Sequence, residues 1–252
     1  MNMPKEKHPY LHQFVATTRW KNLIIGTFPP NKQIREGKKS LTDYFYGNRG
    51  SLWKILGNIY TEFDFSNGTR DNLTKEMMAW QTKYNIGITD TLKTVSRKNI
   101  SSADDADFIL DYEDYNHELK TYVLANNEFI EKIIFTSSKG CNSAFGTFKV
   151  IMGNELGSIR ARMVINLPSP SSSSNTAWFN VNTEDTLGLH PDLFKFITTK
   201  KETQIAFFGQ RWELKKIKKA TKSKNKLPSA PKGLINEFKV WSYKKEFPEK
   251  IY

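Results

Sequence analysis

The chain has 252 residues, 38% of them hydrophobic and 13% aromatic, which suits one large folded domain with an extension. Its 38 Lys and Arg against 26 Asp and Glu give a formal net charge of +12, a balance that favours polyanionic partners. No apolar run reaches the roughly 18 residues of a membrane span, the first residues lack the apolar stretch of a secretory leader, and one cysteine, Cys141, excludes an internal disulfide or an all-cysteine metal site within one chain.

Residues 1–20 read as an irregular arm, because Pro9 pushes His8 out of the helical region. Leu23, Ile24 and Ile25 form an apolar run that predicts a buried strand over 22–27. It breaks into Gly26-Thr27-Phe28-Pro29-Pro30, where glycine admits close approach and the prolines stop both strand and helix. Open α/β sheets present their sites at such carboxyl ends. A polar loop with Lys32, Arg35, Lys38 and Lys39 leads to an aromatic segment, Tyr44-Phe45-Tyr46-Gly47. Ser51 is placed to cap a helix whose apolar residues Leu52, Ile55, Leu56 and Ile59 follow helical spacing. Thr74 is placed to cap another, containing Met77, Met78 and Trp80.

A second strand is expected over 84–89 with Asp90 at its end, then a long polar loop over 93–107 and a helix near 115–126. The third strand is 132–135, followed by Thr136-Ser137-Ser138 and a helix with Ala144, Phe145, Phe148, Ile151 and Met152 on one face. The fourth, 162–167, breaks into Pro168-Ser169-Pro170-Ser171 and three further residues ending the serine run. Strands alternating with helices predict a three-layer α/β/α fold around a central four-stranded parallel sheet. The expected division is an arm over 1–20, an α/β domain over 21–200 and a basic extension over 201–252. A last helix over 234–247 is expected to dock back through Phe238, Trp241 and Phe247, and 215–231, rich in Lys, Ser and Pro, is expected to be flexible.

The extension holds 14 Lys or Arg and 5 Asp or Glu. Interleaved Phe207, Phe208, Trp212, Trp241 and Tyr243 favour nucleic acid over a merely solvated tail. His8, His12, His117 and His190 give no convincing pair at ligand spacing, so no metal and no cofactor are expected.

Gly26-Thr27-Phe28-Pro29 resembles the first motif of the uracil-DNA glycosylase superfamily, and the nearest likeness is to its mismatch-specific and hypoxanthine-DNA glycosylase branch. Tyr44 to Gly47 followed by Leu52-Trp53 is similar to that branch's aromatic segment, and Asn85 to Leu92 to its next strand. Ile134 to Lys139 lies where the family has a base-reading strand, and Leu167-Pro168-Ser169-Pro170-Ser171 resembles the second motif. These likenesses span about 20–175 in the family's order. In this sequence Phe28 stands where several branches have a catalytic Asp or Asn, Leu167 where the classical uracil enzymes have a His, and Thr136 where an Asn commonly reads uracil.

The resemblance implies a DNA N-glycosylase for repair, acting on uracil, hypoxanthine or a bulky modified pyrimidine, the last a feature of modified phage DNA; it is expected to be monofunctional, since no lysine stands out as a Schiff-base nucleophile, and a cytoplasmic monomer. The alternative is a non-catalytic DNA-binding module that keeps the fold. On the enzyme reading Asp90 or Asn48 handles water, Asn48 by resemblance and Asp90 by its charge. Thr27, Phe28, Tyr46 and Thr136 hold the base, while Ser169, Ser171, Ser172, Asn175, Arg49 and Lys139 contact DNA, single- or double-stranded. Asp90 as a helix cap, Asn48 as a turn residue and the serines as a plain loop are the simpler readings.

Overall fold

The computed structural model describes residues 4–36, 42–47, 52–99, 104–140, 142–159, 163–171, 175, 178–179, 181, 183–222 and 226–247. In chain order they form β1 (Glu6–Lys7), β2 (Asn22–Gly26), α1 (Lys32–Glu36), α2 (Leu52–Gly57), α3 (Arg70–Tyr84), β3 (Ile86–Asp90), β4 (Thr94–Arg97) and β5 (Phe108–Ile109). There follow α4 (His117–Ala125), β6 (Lys132–Phe135), α5 (Ala144–Met152), β7 (Val164–Asn166), α6 (Pro191–Lys200), α7 (Ile205–Thr221) and α8 (Leu234–Lys244). The chain divides into two compact units, Met1–Pro170 with Glu246–Tyr252, and Ser171–Lys245.

The first unit is a three-layer α/β/α domain. Its four strands are all parallel in the order β3-β2-β6-β7. Every residue of β2 and β3 is buried, which explains why both read as continuous apolar or small runs rather than alternating ones. Leu23, Ile25, Ile133 and Phe135 point to one face and pack with Leu119 and Val123 of α4 and Ala144, Phe148 and Met152 of α5. The intervening Ile24 and Ile134 turn to the opposite face by the two-residue period of a strand. On the α3 side, Trp53, Phe65, Trp80 and Tyr84 make an aromatic layer, with Trp53 and Trp80 edge-to-face at 5.7 Å. β7 is half-exposed and forms the sheet's edge.

A second, antiparallel sheet of order β1-β4-β5 was not foreseen. Residues 94–97 are strand rather than loop because Glu6 and Lys7 of the arm pair with Val95 and Thr94. Two-residue strands leave no periodic signal. The arm is held further by Lys5 on Asp111 and Asp114, each at 2.9 Å, and by the His8 amide on the Lys93 carbonyl at 2.8 Å.

Other boundaries shift for local reasons. α3 starts at Arg70, four residues before Thr74, and is capped by Thr69, whose hydroxyl accepts from the Asn72 amide; Thr74 instead donates back to the Arg70 carbonyl within the helix. α3 also runs through Tyr84, where the second strand was expected to begin, and Asn85 closes it in the left-handed conformation. Ser51, the expected cap of α2, lies outside the described residues.

In the second unit Leu193, Phe196 and Ile197 of α6, Phe208 of α7 and Leu234, Ile235 and Phe238 of α8 form one core. α7 continues to Thr221, so the stretch expected to be flexible begins as helix; lysine is a good helix former and costs little there. Phe238 and Trp241 of the last helix pack within this unit, whereas Phe247, past its end, packs on Trp80 in the first.

Candidate active site at the carboxyl ends of the parallel strands

After β2 the chain builds β3 on one side and β6 on the other. The loops leaving β2 and β6 therefore diverge, and the crevice of such a sheet opens between their carboxyl ends. β2 ends at Gly26, in register with Asp90 at the end of β3. On the other side the Thr136 amide donates to the Ile25 carbonyl at 3.2 Å. A Cβ on residue 26 would collide with Oδ1 of Asp90 and the hydroxyl of Tyr46. Glycine is required here because two polar side chains occupy the space a larger residue would fill.

Asp90 caps no helix. Its carboxylate is buried, and Oδ2 lies 2.8 Å from Nε2 of His8, whose side chain is only 1% exposed. The Tyr10 amide donates to Nδ1 of the same ring at 3.1 Å. Because Nδ1 accepts, the ring proton sits on Nε2, so His8 donates to Asp90 as the neutral tautomer. Phe28 and Tyr10 meet the ring edge-on at 5.0 and 6.2 Å, and Phe45 tilts against it at 5.6 Å. Asn116 Nδ2 donates to the Asp90 backbone carbonyl at 3.0 Å. One carboxylate oxygen is thus committed to His8, and the other faces Gly26 and Tyr46.

Across the crevice the Tyr46 hydroxyl is 2.8 Å from Thr136 Oγ1. Tyr46 has φ of 56°, a left-handed conformation that costs a bulky residue on the order of 1 kcal/mol and is held by the aromatic segment around it. Thr27 Oγ1 lies 3.4 Å from Ser137 Oγ and also donates to the Asp105 carboxylate. Asp105 sits on a 3-10 turn, Asp105–Asp107, which Asn142 Nδ2 ties down through the carbonyls of Asp105 and Phe108 at 3.0 and 3.2 Å. Desolvation, reinforced by the nearby charge of Asp90, pushes the Asp105 carboxyl up to about 7. The rim therefore carries two carboxyl groups in unlike settings, one taking an N–H from His8 and the other a hydroxyl from Thr27.

Phe28 is buried with Leu92, Val95 and Phe108 rather than open to the crevice. The Arg97 guanidinium lies over Phe108 and Phe28 at 4.7 and 5.7 Å and donates to the Pro29 carbonyl at 2.8 Å. Glu6 accepts from both Arg97, at 3.3 Å, and Arg35, at 2.6 Å, so the arm pins the first-motif loop. Burial lowers the pKa of Arg97.

Thr27, Tyr46, Asp90 and Thr136 are therefore brought together. Lys139 is exposed on the β6–α5 connection, and Ser169 follows β7 at the same end of the sheet. Ser171 and Asn175 belong to the second unit, where the buried ammonium of Lys239 donates to the Ser171 carbonyl and Asn175 Oδ1, both at 2.8 Å. Burial lowers that ammonium to about 8. Asn48, Arg49 and Ser172 lie outside the described residues. Sequence reasoning missed His8 and Asp105. His8 pairs across 82 residues of chain, and Asp105 is one of three aspartates in a row of four residues with nothing to single it out.

Among the described residues no group of three or more His, Cys, Asp or Glu is arranged to hold a metal ion, and no helix is long and apolar enough to cross a membrane. No protein-family model matches the sequence, and no curated protein matches it. Among solved structures, the chain is similar to a solution NMR structure from Methanosarcina acetivorans described as a candidate uracil DNA glycosylase. The two are 20% identical, the match covers 69% of this chain and 86% of the other, and the TM-score is 0.40.

Proposed function

We propose that this protein is a monofunctional DNA glycosylase of the mismatch-specific and hypoxanthine type, which flips a damaged or modified base from DNA and hydrolyses its N-glycosidic bond. The observation that carries this reading is Asp90, a buried carboxylate at the carboxyl end of β3, held by His8 and crowded against a glycine in the first motif. As the glycosidic bond lengthens, positive charge develops at C1′. A fixed carboxylate stabilises that charge and takes a proton from the attacking water, a contribution on the order of 10²–10⁴ in rate. His8, donating to Oδ2, orients the carboxylate and leaves Oδ1 for water.

The remaining roles follow from position. Tyr46, half-buried at the crevice, stacks on the extruded base, and the hydroxyls of Thr27 and Thr136 read its edge. These are small side chains, so the crevice suits hypoxanthine or a bulky modified pyrimidine, including those of modified phage DNA, as well as uracil. Ser169 and Lys139 hold phosphates beside the lesion; Ser171, Ser172 and Asn175 contact DNA on the reading of the second motif, and Arg49 on that of the loop after the aromatic segment. Asn48 stays a second water-handling group by resemblance. The lysines of α7 supply sequence-independent affinity.

One observation favours a second reading, a DNA-binding module without catalysis. Phe28 occupies the first-motif position with an apolar ring buried in the core. Free-base release from oligonucleotides containing uracil, hypoxanthine or a modified pyrimidine decides between them. Release of any base supports the enzyme; binding without release of any supports the module.

A further inference from the structure

Resting on the glycosylase reading, we infer that Asp105 is a second catalytic residue, the general acid that protonates the departing base, and that the preferred substrate carries a base that leaves poorly as an anion, a purine such as hypoxanthine. The first support is position. Asp105 bonds to the hydroxyl of Thr27, the residue that follows Gly26 at the end of β2, and Gly26 stands in register with Asp90. The two carboxyl groups thus gather at the same strand end, near enough for the charge of Asp90 to act on Asp105. The second is support from the β6–α5 connection, whose Asn142 anchors the turn carrying Asp105 and whose Ser137 meets the same Thr27 hydroxyl.

The third is the contrast between the carboxyls. A pair of carboxyls with unlike hydrogen-bond partners at one site suits an acid–base division of labour. Asp90 accepts from a neutral histidine and suits the basic role. Asp105 is desolvated, holds its proton to about pH 7, and suits the acidic one. The charged groups facing Asp105 are Asp90 and Asp104, which raise its pKa, and Arg97, which lowers it; the guanidinium of Arg97 is itself engaged by Glu6. On the β6–α5 side Lys139 is exposed.

The step balances. The C1′–N bond breaks with its electron pair going to the base, and the base nitrogen takes the Asp105 proton. Water adds its oxygen to C1′ and yields a proton to Asp90. The products are the neutral base and the C1′ hydroxyl of an abasic sugar, and transfer of the proton from Asp90 to Asp105 through solvent restores the site. A base whose anion is stable needs no such acid.

The test compares single-turnover release from two duplex oligonucleotides, one containing deoxyinosine and one containing 5-fluorodeoxyuridine, for the wild type and D105N between pH 5.5 and 9. For deoxyinosine the wild-type rate should fall above pH 7 and D105N should lose about 100-fold together with that alkaline limb. For 5-fluorodeoxyuridine D105N should stay within about 3-fold of the wild type, on the same scale. The ratio between substrates is independent of the folded fraction of the variant. Equal losses on both, or an alkaline limb retained in D105N, overturn the assignment while leaving the glycosylase reading intact. Release of 5-fluorouracil without hypoxanthine overturns the assignment alone, and release of neither these bases nor a bulky modified pyrimidine overturns both.

Discussion

Replacing His8 by Phe within a double-mutant cycle tests the bond that holds Asp90. The phenyl ring retains the ring contacts to Phe28 and Phe45, 5.0 and 5.6 Å between ring centres, so packing changes little. What is lost is the Nε2–H donor to a carboxylate that has no room to turn to solvent, together with the Nδ1 acceptor of the Tyr10 amide, a loss that cancels in the coupling with Asp90. A hydrogen bond to a charged group contributes about 1.5–3 kcal/mol, and a buried charge left without its partner costs more, so H8F should lose about 3 kcal/mol. Asp90→Ala should cost about 2 kcal/mol, because the buried imidazole N–H is then orphaned. In the double variant neither group is left alone, and the loss should fall short of the sum by about 2 kcal/mol. Urea unfolding of the four proteins, with equal m-values, measures that coupling. A coupling below about 0.5 kcal/mol, the additivity of distant sites, would refute the pairing.

Gly26→Ala should abolish activity and destabilise the domain by about 1–3 kcal/mol, since the methyl group meets Asp90 Oδ1 and the Tyr46 hydroxyl; a thermal melt unchanged within about 1 °C would count against the crowding. Asp105 has a folded pKa raised from 3.8 to about 7, so its contribution to stability is full below pH 4 and is lost as pH climbs to 7, by about 4 kcal/mol at most. D105N should therefore gain on the wild type between pH 4.5 and 7.5 in urea titrations, and parallel curves would contradict the burial. Lys239 runs the other way: its folded pKa, about 8, lies below the unfolded value of 10.5, so the wild type should gain stability from pH 8 to 10 and Lys239→Met should not. Exposed Lys219 and Lys222 on and after α7, changed together to Ala, should lower the slope of log K against log salt for DNA binding by about 1.8; an unchanged slope would remove α7 from the interface.

The parts of the fold legible in the sequence are those driven by local apolar pattern. β2 and β6 are short runs of Ile and Leu whose ends are marked by Gly26 and Thr136, so strand and rim are both written within eight residues. The alternation of these runs with helices then suffices for the parallel sheet. β1 and β4 were invisible because each exists only through the other, joined across nearly 90 residues. The same limit hid half of the site. Asp90 was readable as a charge at a strand end, but its partner lies on an arm whose proline argued only against helix. Phe28 illustrates the opposite difficulty. An aromatic beside glycine suits stacking on a base, yet the ring is claimed by Phe108 and Arg97, neither of which its neighbours in sequence could announce.

The most direct test of Asp90 as the water-handling group is single-turnover base release by Asp90→Asn, measured on a saturated complex with the oligonucleotide that the wild type cleaves fastest. The substitution keeps the shape and the acceptor for His8 while removing the charge. The account predicts a fall of about 100-fold or more in the chemical step with DNA affinity within about 3-fold of the wild type. Release at the wild-type rate by Asp90→Asn would contradict it.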